Sequence, residues 1–108
     1  KAEPALDDAA WQHIKDRHRP GGKLVDPEAG IFTGKEKAVR KRIADTLKRG
    51  TPRPNTPDPI TNEPRSGQIY DWDFGDTVGT AGPANGGGDL TSVRVVVDEG
   101  RIKTAFPF

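Results

Sequence analysis

No cysteine occurs in the 108 residues. Disulfides, thiolate zinc sites and cysteine nucleophiles are therefore excluded, and cysteine usage says nothing of redox compartment. No apolar run approaches the roughly 18 residues that span a membrane. No charged-then-apolar signal opens the chain. Hydrophobic residues are scarce at 31%, so the core must come from a few short elements. Serine is confined to Ser66 and Ser92, and neither sits in a G-x-S-x-G elbow, which tells against serine-hydrolase chemistry. The glycine stretch 86–88 lacks the Lys-Ser/Thr that completes a phosphate-binding P-loop and reads as a plain loop. No internal repeat is visible.

What is present bounds the rest. The length suits one domain, with one modest core. Residues 1–5 read as a tail or linker and 6–108 as a single domain; the start at Lys1 suits a piece of something longer. Charged residues match the hydrophobic share at 31%, and 13 glycines with 10 prolines call for long loops. The net charge of +1 is unevenly placed: residues 1–50 carry 12 basic and 8 acidic side chains, residues 51–108 carry 5 and 8. That asymmetry suits an N-terminal half facing a polyanion, or simply a solvated helix face.

Two helices are predicted in the first half. One spans about Leu6 to Arg19, capped by Asp7, with acidic Asp7 and Asp8 at the positive end of its dipole. Trp11, Ile14 and His18 share its apolar face, and Pro20-Gly21-Gly22 stops it. The second begins at Thr33 with Glu36 as a capping box. Val39, Ile43 and Leu47 form its stripe, and Gly50 is placed to end it in a left-handed turn. Seven basic against two acidic residues between Lys35 and Arg49 make its outer face strongly positive.

The second half reads as β. Residues 51–66 hold five prolines, which exclude a helix or central strand and suggest an exposed, mobile loop. Tyr70, Trp72 and Phe74 alternate with Asp71 and Asp73, and Thr77 to Ala81 are expected to continue that strand after a bend at Gly75. Gly82 to Asp89 reads as a flexible loop. Ser92 to Asp98 puts Val93, Val95 and Val97 on one face and Arg94 and Val96 on the other. Glu99-Gly100 makes a tight turn into a hairpin partner. There, Ile102, Thr104 and Phe106 are expected on one face, with Arg101 and Lys103 on the other. The class is α+β, with N-terminal helices packed on a curved antiparallel β-sheet.

The only histidines, His13 and His18, lie in the first helix. Histidine is the side chain best matched to acid–base work near neutral pH. Five residues on a regular helix separate two directions by about 140°, so convergence requires the helix to end before His18, which Pro20 favours. The plain reading is one surface histidine and one capping or core histidine. Asp16 between them gives H-x-x-D-x-H, but that spacing does not gather three metal ligands on one face and no further histidine exists. The same stretch resembles the D-x-H of HNH-type nucleases, yet residues 34–49 lack the Asn or His those need. Thr104, flanked by apolar residues, either satisfies a local hydrogen bond or, beside a histidine, holds a phosphate oxygen.

W-Q-H-I-K-D-R-H near the start and V-R-V-V-V-D-E-G-R-I-K-T-A-F-P at the end, with the order of elements between, resemble a superfamily of toxin ribonucleases. It includes barnase, EndoU-like bacterial domains and the ribonuclease domains of contact-dependent inhibition toxins. Where such domains often carry Tyr two residues after the Thr, this chain has Phe106. The missing phenol's burden would pass to Lys103, Arg94 or the basic helix.

The resemblance implies metal-independent endoribonuclease chemistry without a cofactor. The ribose 2′-OH attacks the neighbouring phosphorus and leaves a 2′,3′-cyclic phosphate and a free 5′-OH. His13 and His18 would be acid and base, in unassigned order. Thr104 would bind the phosphate, and Lys103, Arg17 and Arg40 would stabilise charge. Lys37, Lys41, Lys48, Arg94 and Phe106 would engage the RNA. The implied partners are an RNA substrate, tRNA among the candidates, and an acidic cognate immunity protein. The implied setting is a monomer delivered from a producer bacterium into a target cell's cytoplasm. The competing readings are a non-catalytic RNA-binding module stacking bases on Tyr70, Trp72 and Phe74, and a partner-binding domain, since phage head-associated proteins carry related folds.

Overall fold

The structure, a computed structural model, describes residues 6–19, 22, 30–58 and 60–108. The turn expected at Pro20-Gly21 and the tail at 1–5 lie outside these residues. Helix α1 spans Asp8–His18. The Asp7 carboxylate accepts the Ala10 N–H at 2.8 Å and the Arg101 guanidinium at 2.7 Å, so one residue caps the helix and ties it to the C-terminal hairpin. Trp11, Ile14 and His18 are buried along one side, as the spacing indicates.

Helix α2, Glu36–Arg49, starts later than a Thr33 cap allows. The Thr33 N–H bonds the Val78 carbonyl, extending the short strand β1, Ile31–Phe32. The left-handed Gly34 then turns the chain, and Lys35 becomes the cap without a side-chain bond. Glu36 now stands at the first helical position and accepts from Arg40 Nε at 3.0 Å instead. The far end also departs from expectation. Gly50 is extended (φ −73°, ψ 149°), not left-handed. A Cβ there would lie 2.8 Å from the Asp71 carbonyl, so glycine serves the close approach of helix to strand.

Two antiparallel sheets complete the α+β architecture. The larger has the order β2 (Arg53–Pro54), β3 (Gln68–Asp73), β6 (Ser92–Asp98), β7 (Arg101–Pro107). The smaller runs β1, β4 (Gly79–Thr80), β5 (Asp89–Leu90). The segment expected to prolong the aromatic strand thus belongs to a second sheet. Left-handed Gly75, its N–H taken by the Asp73 carboxylate at 2.9 Å, breaks the run. Helix α2 packs on β3 and β6, and α1 packs on β7. Val93, Val95 and Val97 face the helices and join Ile14, Phe32, Val39 and Ile43 in the core. Tyr70, Trp72 and Phe74 are half-buried, with Tyr70 and Phe74 packed on that core. None of the three is an open stacking platform.

The hairpin β6–β7 turns through Glu99 and Gly100, both left-handed (φ 53° and 75°), as a two-residue turn of primed type requires. Its register holds an irregularity that the alternation conceals. Val96 pairs with Thr104 but Val97 pairs with Ile102, so Lys103 is an extra residue. The bulge corrects the expected face assignment. Ile102 is 4% exposed and points into the core with Ala105. Thr104 and Phe106 point to the opposite face, opposite Val96 and Arg94 in the register.

Candidate active site

The two histidine rings meet although both belong to α1. Their centroids are 5.9 Å apart, at 62° to each other. Five residues span about 7.5 Å of axis, within the combined reach of two imidazoles leaning along the flank of the helix. His18 is the last helical residue, and Arg19 is already extended. Its Nδ1 lies 3.1 Å from the Gly30 carbonyl. A carbonyl only accepts, so Nδ1 carries the proton and the neutral ring's lone pair is on Nε2. His18 is 9% exposed. His13 is half-buried, and its pKa is lowered from the usual 6.5 by burial first and by the nearby Arg17 charge second, with Asp16 opposing. It is therefore predominantly neutral at pH 7.

Phe106 extends the row, its ring 5.4 Å from that of His18 and tilted by 33°. The same Phe106 lines a cleft of about 190 Å³ with Asn55, Thr56, Arg65, Arg94 and Thr104. Thr104 Oγ1 is buried there with no hydrogen-bond partner among the described residues. Such an orphan destabilises by roughly 1–3 kcal/mol unless water or a ligand satisfies it.

Two arginines, Arg65 and Arg94, line the cleft, and Arg53 braces Arg94's partner Asp71. Arg94 donates from Nε and Nη2 to the two Asp71 oxygens at 2.8 and 3.0 Å, and its guanidinium lies 4.8 Å from the Phe108 ring centroid. Arg53 donates to the same carboxylate at 2.6 Å. Burial of Asp71 would raise its pKa, but the hydrogen bonds and charges of Arg94 and Arg53 outweigh it and keep the carboxyl below its usual value. Arg65 donates to the Thr56 carbonyl and hydroxyl, both at 2.7 Å.

Sequence reasoning missed Asn55, Thr56 and Arg65, because a proline-rich stretch reads as passive loop. A signal existed. Only five basic residues follow residue 50, and Arg53, Arg65 and Arg94 are three of them. The loop is also better braced than expected: Asp58 accepts the Ile60 and Thr61 N–H groups, and Asn55 donates to the Ser66 carbonyl.

The remaining candidates divide. Lys103, the exposed bulge residue, lines a second cleft with His13, beside Asp98 and Arg101. Arg17 is exposed on α1. Arg40 turns elsewhere, paired with Glu36 and stacked over Trp11 at 4.5 Å. Lys37 and Lys48 are exposed on α2, and Lys41 pairs with Asp45 at 3.0 Å. That helix packs on the core face of the large sheet, away from Arg94, Thr104 and Phe106.

Among the described residues, no group of three His, Cys, Asp or Glu side chains is arranged to hold a metal ion. No helix among them is long and apolar enough to cross a membrane. No protein-family model, no curated protein and no solved structure matches the chain.

Proposed function

We propose that this domain is a metal-independent endoribonuclease acting by internal attack of the ribose 2′-OH. The observation that carries the reading is the His13–His18–Phe106 row, whose Phe106 end lines the cleft that holds Arg94 and Thr104 with its orphaned hydroxyl. Two imidazoles within one phosphate's reach can move two protons, and the reaction needs two. His13, kept neutral by burial and Arg17, takes the 2′-OH proton as an O2′–P bond forms. His18 is oriented by Gly30. In its protonated form it gives a proton from Nε2 to the leaving 5′ oxygen as the P–O5′ bond breaks. Thr104 donates to a phosphate oxygen, and Arg94 and Lys103 stabilise the charge that builds on phosphorus. Product is a 2′,3′-cyclic phosphate and a 5′-OH. As a toxin domain, it would meet an acidic immunity protein through the same arginines.

The test is incubation with total RNA in EDTA, followed by identification of product ends. Cyclic phosphate ends are expected, and His13→Ala or His18→Ala should each slow cleavage by about 10²-fold or more with circular dichroism unchanged. Intact RNA, or full activity in both variants, contradicts the assignment. One observation favours a second reading. The burial of His18 against a backbone carbonyl suits a structural histidine, which would leave a non-catalytic RNA- or protein-binding module built on the arginine cleft.

A further inference from the structure

A larger cavity, about 430 Å³, adjoins the same row of rings. It lies between the end of α1, strand β5 and the end of β7. His18, Leu90, Phe106 and Phe108 line it, Asn85 adds a polar side chain, and Gly30 and Gly82 add backbone. Its size falls in the range of pockets that bury small organic ligands, roughly 300–1,000 Å³.

The lining decides the chemistry of the occupant. Among the described residues, no Asp, Glu, Lys or Arg lines the cavity. Those residues offer no counter-charge to a phosphate, an amine or a metal ion. A flat aromatic ring would find three aromatic side chains to lie against, with backbone groups at its edges. Charge waits just outside: Phe106 is shared with the Arg94–Thr104 cleft, and Arg94 stacks over Phe108. Phe108 is one of two large hydrophobic side chains left exposed among the described residues, at 43%. An exposed ring beside a fixed arginine is the combination that single-stranded nucleic acids use, bases on rings and phosphates on cations.

We infer that this cavity is a nucleobase-binding subsite, taking the base of a nucleotide whose phosphate sits at Arg94 and Thr104. The inference rests on the ribonuclease reading for its role, as the place where one base next to the cut is held. It does not rest on that reading for its existence, because binding needs no cleavage.

The probes are nucleoside 3′-monophosphates, which hold no phosphodiester to cut, with inorganic phosphate as the comparison. Binding is followed by amide shifts in nuclear magnetic resonance and by calorimetry. The mononucleotide should shift the amides of Ala81, Gly82 and Leu90 on the far wall, whereas phosphate alone should shift only Thr104, Arg94 and their neighbours. Leu90→Trp, which pushes a larger side chain into the cavity, should weaken mononucleotide binding by about tenfold or more while phosphate binding stays unchanged. Phe108→Ala, at an exposed position that cannot unfold the core, should weaken it in the same direction. A mononucleotide that shifts only the residues phosphate shifts, or binds Leu90→Trp and Phe108→Ala as well as the parent, overturns the subsite. Uncut RNA together with a mononucleotide seated in the cavity overturns the nuclease and leaves the subsite standing.

Discussion

The two faces of the β3–β6–β7 sheet share the same strands and follow different rules. One face carries Val93, Val95, Val97, Ile102 and Ala105, all buried under the helices. The other carries the buried Ile69 but also Asp71, Arg94, Thr104 and Phe106, tied by ion pairs and leaving a buried hydroxyl unsatisfied, and it is these polar positions that differ. The first face is organised by removal of apolar surface from water. The second keeps charge and an unmet hydrogen bond in a cleft, which a stability-driven face would have eliminated. Substitutions should therefore separate: on one face they should change folding, on the other chiefly function.

The largest effect should come from the apolar face. Ile43→Ala, beneath the valines at 1% exposure, should lower unfolding stability by about 2–5 kcal/mol, read by urea titration. Its counterpart across the sheet is Thr104→Val. Replacing an orphaned hydroxyl by a methyl should leave stability unchanged or slightly raised. Losing its bond to a charged phosphate should slow cleavage by about tenfold or more. Equal losses of stability in the two variants would erase the distinction between the faces.

Asp71→Asn should have a smaller effect, about 1 kcal/mol for half-exposed ion pairs, and a definite pH dependence. The folded carboxyl titrates below its ordinary 3.8. Its contribution is thus fully present above 3.8 and disappears as pH falls through the folded value. The stability gap between parent and variant should be constant from neutral pH to about pH 5 and close below 3.8.

His13 shifts stability in the same direction at higher pH, through a disfavoured cation rather than a favoured anion. Its folded pKa lies below 6.5, so between that value and 6.5 the unfolded chain binds the extra proton and folding is penalised as pH falls. The acid limb of the rate profile should accordingly lie below 6.5. Arg17→Ala should move the limb upward, because it removes a repelling charge. A limb at or above 6.5 in the parent would remove His13 as the base. The smallest effect is expected for Lys37, Lys41 and Lys48 replaced together by Ala. They lie across the sheet from the cleft, and cleavage should stay within about threefold at moderate salt. A large loss would put the RNA on both faces.

Much of this was legible in the sequence where one period governs a whole segment. Strand β6 runs Ser92–Asp98 as its valine alternation indicates, and α1 keeps its Asp7 cap and its Trp11–Ile14–His18 face. Legibility failed where a single residue breaks a period. The extra Lys103 moved Ile102 to the core face, and alternation carries no sign of a bulge. The capping box at Thr33 gave way because that backbone pairs with Val78, a partner 45 positions along the chain. Strands β1, β4 and β5 are two residues each, too short for any pattern. Within the site, the histidines stood out by their rarity. Arg65 was hidden in a loop whose order comes from its own side-chain bonds.

The most direct measurement uses a short RNA oligonucleotide whose mapped cut site carries a single 2′-deoxy nucleotide on the 5′ side of the scissile phosphate, incubated in EDTA. If the 2′-OH is the nucleophile, cutting at that linkage should stop while neighbouring linkages remain open to cleavage with cyclic phosphate ends. Cleavage through the deoxy position at the parent rate would contradict the internal-attack mechanism, and with it the pairing of His13 and His18 as its base and acid.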